Sequence, residues 1–227
     1  NQTVLTSLLE MRHVAGDKSL WTRLAGALQH EISKQKPLVF VEEKLAERDV
    51  RHKRFGDTRY VVEPNVKDGK GGLRDLHSLF WIAKHAYRAT SIIDIVKQGV
   101  LRDGEARKFA LAQRFLWTVR CHLHLQAGRA EERLDFEAQI MIAPRLGFAD
   151  RGGMRGVERF MKRYYLAVRN VGNLTRIFCA AMETDFRKSL KVWRPDFLRT
   201  HDLDPFRIES GRVRLLDNFL FRDSPAR

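Results

Sequence analysis

The chain of 227 residues lacks several features that would assign it to a familiar class. Its only cysteines, Cys121 and Cys179, are too few for a disulfide framework and fit a reducing compartment. No apolar run approaches the roughly 18 to 20 residues of a membrane span, and the first residues lack a secretion signal. The sequence also begins without Met. We therefore expect a piece of a longer, cytoplasmic protein that has no membrane partner.

Acidic residues are scarce relative to basic ones. Against 42 Lys and Arg there are 28 Asp and Glu, which gives a formal net charge of +14. Such a surplus attracts phosphates and other polyanions to the surface, although it is also typical of a surface that is merely well solvated. Specific nucleic-acid binding is disfavoured, because the chain has no basic motif interleaved with aromatic residues on which bases could stack.

Apolar residues at helical spacing predict a mainly α fold, an antiparallel helical bundle. The longest predicted helix covers residues 154–188, where apolar side chains repeat at steps of four and three and form a packing seam. Another covers residues 73–88. The charged stretch at residues 47–54 is interpreted as a solvated face. Asp17, Ser91 and Asp103 are predicted to cap helices, and Pro37 is predicted to open one.

Two segments are predicted to be extended. The β-prone run Tyr60-Val61-Val62, stopped by Pro64, predicts a short extended segment near residues 58–63. Near the C-terminus, residues 206–209 and 212–215 flank a Ser-Gly pair, which predicts a small β-hairpin.

The stretch between these regions, from Glu63 to His77, is the most unusual part of the chain. Residues 65–72 contain three glycines and two lysines with little apolar content, so we predict a loop that leads into a helix. The first N–H groups of that helix have no partners within the helix, and glycines would let a phosphate approach the backbone. Together with Lys67, Lys70 and Arg74, this pattern favours an anion site.

Two questions about this loop stay open from the residues alone. Asp68 and Asp75 either hold a metal together with phosphates or orient the basic side chains. The loop is alternatively structural, with Arg74 and Asp75 paired so that they lock it to the bundle. The spacing matches neither the P-loop nor the dinucleotide fingerprint.

Other candidate chemistry is weaker. His122 and His124 lie two residues apart on a predicted helix and point to different faces. His201-Asp202 lacks the further His and Asp ligands of a metal hydrolase, and no nucleophile or zinc motif is present. We therefore predict no catalytic residue and no metal ligand within this chain.

The string Gly71-Gly72-Leu73-Arg74-Asp75-Leu76-His77, with its Glu63-Pro64-Asn65 lead-in, resembles the bacterial PII uridylyltransferase/uridylyl-removing family. Residues 12–17, 51–56, 79–83 and 134–136 extend the resemblance over most of the chain. A shorter form of the string occurs in glutamine synthetase adenylyltransferase, so an enzyme of that kind is a second alternative.

The resemblance implies an enzyme that transfers UMP from UTP to a tyrosine of the PII signalling protein when glutamine is scarce, and removes it when glutamine is plentiful. Its nucleotide- or phosphate-binding residues would be Asn65, Lys67, Lys70, Gly71, Gly72, Arg74, Asp75 and His77. The Gly-Ser/Asp-x-Asp and HD motifs of the family are missing here. We therefore expect the chain alone to be inactive and the Mg²⁺ ligands to lie outside it.

The resemblance also implies a division into three parts. Residues 1–62 would end the nucleotidyltransferase module, residues 63–190 would form a helical bundle domain, and residues 191–227 would carry the hairpin and a linker to a further domain. The chain would complete the nucleotide site and scaffold it. The alternative is a non-catalytic helical module that docks PII or neighbouring domains.

Overall fold

The computed structural model describes residues 2–185, 201–203, 206–209 and 212–215. The chain forms two compact units, residues 1–175 and 176–227. The described part is mainly helical, as predicted. Its helices are α1 (Gln2–Leu8), α2 (Lys18–Lys34), α3 (Pro37–Arg54), α4 (Leu73–Tyr87), α5 (Ile92–Lys97), α6 (Asp103–Ala127), α7 (Phe136–Arg145) and α8 (Gly156–Asp185). The antiparallel order and the three-part division stay predictions.

Most helix starts form where the sequence predicts them. The Asp17 side chain accepts a hydrogen bond from the Ser19 N–H at 2.6 Å, and Pro37 occupies the first turn of α3. Ser91 forms a capping box with Asp94. α6 begins at Asp103, but the prediction that Asp103 caps it is wrong, because Arg102 is the N-cap. The Glu105 carboxylate accepts a hydrogen bond from the Arg102 N–H at 2.8 Å.

The segment 58–63 lies in no β-strand, and the extended conformation expected for it stays a prediction. Its carbonyl groups accept hydrogen bonds from side chains of α7 and α8. The Tyr165 hydroxyl donates to Val61 O at 3.1 Å, and the Gln139 amide donates to Val62 O at 2.8 Å. Backbone pairing occurs instead at one isolated bridge between Asn65 and Arg133. The segment is therefore held by helices rather than by a strand partner.

Three short strands are described near the C-terminus. They are β1 (His201–Leu203), β2 (Phe206–Glu209) and β3 (Arg212–Leu215), paired antiparallel in the order β1-β2-β3. The predicted Ser-Gly turn at residues 210–211 lies outside the described residues, as do residues 186–188 of the predicted long helix. The hairpin therefore stays a prediction.

The core that positions the candidate site lies between α3, α4, α6 and the first part of α8. Buried apolar side chains include Phe40 and Leu45 of α3, Leu76 of α4, Leu116 of α6 and Val168 of α8. The predicted seam of α8 is confirmed at Met161, Tyr164, Val168 and Val171, all buried. None of the helices in the described part is long and apolar enough to cross a membrane.

The charged stretch at residues 47–54 is not simply a solvated face. Lys44, Arg48 and His52 lie four residues apart on α3 and are all buried. This spacing places them on one side of the helix. A stretch of mixed charges thus contributes buried polar contacts. The i, i+4 spacing of these residues in the sequence was the signal that they share one face of the helix.

Candidate functional site

The loop from Asn65 to Gly72 closes on itself through hydrogen bonds. The Asn65 side-chain oxygen accepts from the backbone N–H of Lys67 at 3.1 Å and of Asp68 at 2.6 Å. The Gly69 N–H donates to Asn65 O, and the Gly72 N–H donates to Gly69 O. Asn65 therefore shapes the loop by capping its backbone, as Asn does in Asx-turns.

The first N–H groups of α4 also have partners. Leu73 N donates to Val66 O at 3.0 Å, Arg74 N to Lys67 O at 2.8 Å, and Asp75 N to Gly72 O at 3.1 Å. The loop folds back over the helix end, so its carbonyl oxygens take the positions that an anion would need. These N–H groups have no partner within α4, as expected, but residues 66, 67 and 72 already accept their hydrogen bonds, so they are not free to bind an anion.

The loop glycines permit close packing of backbone. Gly71 has φ +83°, and a Cβ there would lie 2.5 Å from Val168 O of α8. At Gly72, a Cβ would lie 2.7 Å from Val66 O and 2.8 Å from Lys67 O. A side chain at either position would collide with main-chain atoms, so these glycines bring the loop against α8 and against itself.

Asp75 is the buried anchor of the loop. One carboxylate oxygen accepts a hydrogen bond from Arg51, His52 Nε2 lies 2.9 and 3.0 Å from the two oxygens, and the Gly71 N–H donates to the second at 2.8 Å. Burial alone would raise the pKa of Asp75, but the contacts with His52 and Arg51 outweigh it and lower this pKa. The suggested Arg74–Asp75 pair does not form, since Asp75 pairs with α3 instead.

A metal does not fit this arrangement. Both Asp75 oxygens are occupied, and Asp68 pairs with Arg74, whose Nε lies 3.3 Å away. No group of three or more His, Cys, Asp or Glu side chains that could hold a metal occurs among the residues that the structure describes. The two aspartates therefore orient basic side chains.

The three cationic side chains of the predicted site lie on the loop and the first turn of α4. Each has a carboxylate partner: Lys67 Nζ is 3.8 Å from Glu132, Lys70 Nζ is 2.7 Å from Asp57, and Arg74 pairs with Asp68. All three side chains remain a quarter to a third exposed. They are accessible to an anion that can displace or join the carboxylates.

His77 lies further along α4, away from the loop. Its ring packs between the rings of Trp81 and Trp117, at 5.9 Å from each centroid. Burial lowers the pKa of His77 and favours the neutral ring; the charge of Glu10 opposes this shift, and the charges of Arg74 and Arg120 add to it.

A cavity of about 570 Å³ opens beside the loop. Its lining includes Phe55, Arg59, Glu63, Lys70, Arg133 and Phe136. Arg59 and Arg133 were not predicted as site residues, because neither belongs to a motif and only the fold brings them to the same cavity.

Glu63 supports the wall of this cavity. Its carboxylate accepts hydrogen bonds from Arg133 and from the Phe136 N–H, the first backbone group of α7. The bond from the Phe136 N–H, with that from Arg133, lowers the pKa of Glu63 and keeps it ionised. The Glu-Pro-Asn lead-in therefore joins the loop to the start of α7.

The fold and the site together define a helical module. Its loop at residues 65–72 carries cationic side chains, precedes α4, is held by buried contacts and lies beside a cavity. The chain belongs to the PII-uridylyltransferase family, because the family model described as GlnD PII-uridylyltransferase matches residues 39–179.

Curated relatives agree with the family match. The chain is 47% identical over 226 residues to the bifunctional uridylyltransferase/uridylyl-removing enzyme of Azospirillum brasilense, covering 98% of the chain and 24% of the relative. A protein of the same description from Rhodospirillum rubrum is 47% identical with the same coverage, and one from Bradyrhizobium sp. (strain ORS 278) is 44% identical over 99% of the chain and 25% of the relative. The chain thus spans about a quarter of these relatives. No solved structure matches it significantly.

Proposed function

We propose that the chain is part of a cytoplasmic, bifunctional enzyme that transfers UMP from UTP to a tyrosine of PII and removes it again in response to glutamine. Its membership of the PII-uridylyltransferase family and the names of its relatives support this proposal. The chain matches about a quarter of those relatives, so the activity is assigned to the longer protein.

Within that enzyme, the loop at the start of α4 stabilises the charge of the bound nucleotide. The observation that carries this role is the set of three partly exposed cations, Lys67, Lys70 and Arg74, on a loop fixed against α3 and α8. A rigid support keeps such donors in place without reorganisation during the reaction. The tyrosine oxygen loses its proton to water and bonds to the α-phosphorus while the bond to the leaving pyrophosphate breaks. The cations attract the negative charge that the pyrophosphate gains.

The remaining predicted residues have supporting roles in this proposal. Asn65, Gly71, Gly72 and Asp75 hold the loop in shape, whereas His77 packs between Trp81 and Trp117. Mg²⁺ would neutralise phosphate charge during transfer, but its ligands would be carboxylates outside residues 1–227. The residues of this chain then contribute charge and position only.

The test compares variants of the longer protein that includes the nucleotidyltransferase module. Lys70→Ala and Arg74→Ala should each raise the KM for UTP or lower kcat by about tenfold, as expected for the loss of one charge-assisted contact. Arg114→Ala, an exposed cation on α6 that lies outside the loop, is the matched control. Wild-type kinetics in both loop variants would remove the loop from the nucleotide site.

A second candidate role is a non-catalytic module that docks PII or positions neighbouring domains. It is favoured by the carboxylate partners that the loop cations already have. In this case Lys70→Ala and Arg74→Ala would leave UTP kinetics unchanged but weaken binding of PII, measured by titration at fixed salt. Unchanged PII binding in both variants would count against docking through this loop.

A further inference from the structure

The cavity beside the loop has an uneven charge balance. Three of its lining residues are cationic, Arg59, Lys70 and Arg133, whereas Glu63 supplies a negative charge. Lys70 is paired with Asp57 and Arg133 with Glu63. Arg59 has no hydrogen bond or ion pair with any of the described residues, and its Nε is buried.

A glycine leaves room for the Arg59 guanidinium. A Cβ at Gly172 of α8 would lie 2.4 Å from both Nε and Nη2 of Arg59, so the guanidinium occupies the space where a side chain would be. Desolvated donors without partners are costly. A guanidinium at the wall of a cavity has the donor geometry that matches a phosphate or carboxylate.

The walls of the cavity are fixed by contacts that need no ligand. Val61 is held by the Tyr165 hydroxyl, Glu63 accepts from the Phe136 N–H at 3.1 Å, and Lys70 pairs with Asp57. Its volume of about 570 Å³ lies within the ordinary range for small-molecule sites. Apolar rings of Phe55 and Phe136 line it alongside the cations.

We propose that this cavity binds a small phosphate monoester that carries a flat, apolar body, with the phosphate on Arg59 and Lys70 and the body against Phe55 and Phe136. Arg133 is paired with Glu63. The unpaired Arg59 and Lys70, whose exposed pair with Asp57 can open at little cost, are therefore the two cations available to a ligand with two negative charges. Nucleoside monophosphates and aryl phosphates share this chemistry. The site shares Lys70 with the loop but goes beyond the proposed function, because its unpaired donor is Arg59 and its ligand is a phosphate monoester rather than UTP.

The test is calorimetric titration of the 227-residue chain with phenyl phosphate, UMP, benzoate and inorganic phosphate at fixed salt. Phenyl phosphate should bind more tightly than inorganic phosphate, which lacks the apolar body, and more tightly than benzoate, which carries one charge. Tighter binding of UMP than of phenyl phosphate assigns the cavity to nucleotides, and the reverse assigns it to other phosphate monoesters. Benzoate binding as tightly as phenyl phosphate would overturn the phosphate assignment.

Two variants test the role of Arg59. Arg59→Met removes the charge, and Gly172→Ala keeps the charge but displaces the guanidinium while favouring the helix. Each should weaken phenyl phosphate binding by about tenfold or more, with helical circular dichroism unchanged. Arg114→Met on α6, outside the cavity lining, is the charge-matched control and should bind as the unaltered chain does.

The proposal fails if neither phosphate monoester binds, or if Arg114→Met weakens binding as much as Arg59→Met does, because attraction would then be general. It also fails if Gly172→Ala binds normally while folded. Because no UTP, Mg²⁺ or longer protein is used, these outcomes are independent of the kinetic test of the loop.

Discussion

Two aspartates contact the same loop but differ in their surroundings. The Asp75 side chain is 4% exposed and is contacted by Arg51, His52 and the Gly71 N–H. The Asp57 side chain is 60% exposed and pairs with the single cation Lys70. The hydrogen bond from Lys70 lowers the pKa of Asp57, yet water remains available to both partners.

The difference shows that the residues that hold the loop in place are distinct from those that are available to bind an anion. A buried carboxylate with three donors cannot exchange partners without leaving other groups desolvated. A surface pair contributes little to stability and can open at little cost. The buried side of the loop therefore fixes its position, whereas the exposed side leaves Lys70 able to meet another anion.

Removing each carboxylate in turn should affect the stability of the chain very differently. Asp75→Ala should lower the free energy of unfolding by about 3–5 kcal/mol, because Arg51 loses its partner in a buried setting. Asp57→Ala, the matched surface control, should lower it by about 0–1 kcal/mol. Urea denaturation followed by circular dichroism measures both. Equal effects would mean that burial does not distinguish the two sites.

A substitution at Gly71 tests how much the close backbone contact between the loop and α8 contributes to stability. Gly71→Ala should lower the free energy of unfolding by about 2–4 kcal/mol, because φ is positive and the new Cβ would meet Val168 O. Gly99 also has positive φ, +73°, but open space around it. Gly99→Ala should therefore cost only about 1–2 kcal/mol. If the two variants unfold at the same urea concentration, the contact with α8 contributes nothing.

The helices could be predicted because their signals are local. Asp17, Pro37 and the Ser91–Asp94 pair each act within one turn, where spacing alone determines the geometry. The contacts of the 58–63 segment could not be predicted in this way. Its carbonyl groups accept hydrogen bonds from Gln139 and Tyr165, which lie far along the chain.

The candidate site was predictable in composition but not in hydrogen bonding. The sequence indicates a basic, glycine-rich loop before a helix. It does not show that the loop folds back so that Val66 and Lys67 accept from the first N–H groups of α4. Likewise, the pairing of Asp75 with His52 rather than with its neighbour Arg74 depends on how α3 packs against α4.

The smallest expected effect is the loss of the Asp75 contribution to stability at low pH. The pKa of Asp75 in the folded chain lies below its ordinary value of 3.8, so its stabilisation is complete above that value. It is lost as the pH falls through the lowered pKa, because protonation then favours the unfolded chain. Near pH 4 only the onset of this loss should be seen. Asp75→Asn should remove that part of the acid dependence of urea denaturation, whereas an unchanged acid profile would show that other carboxylates dominate it.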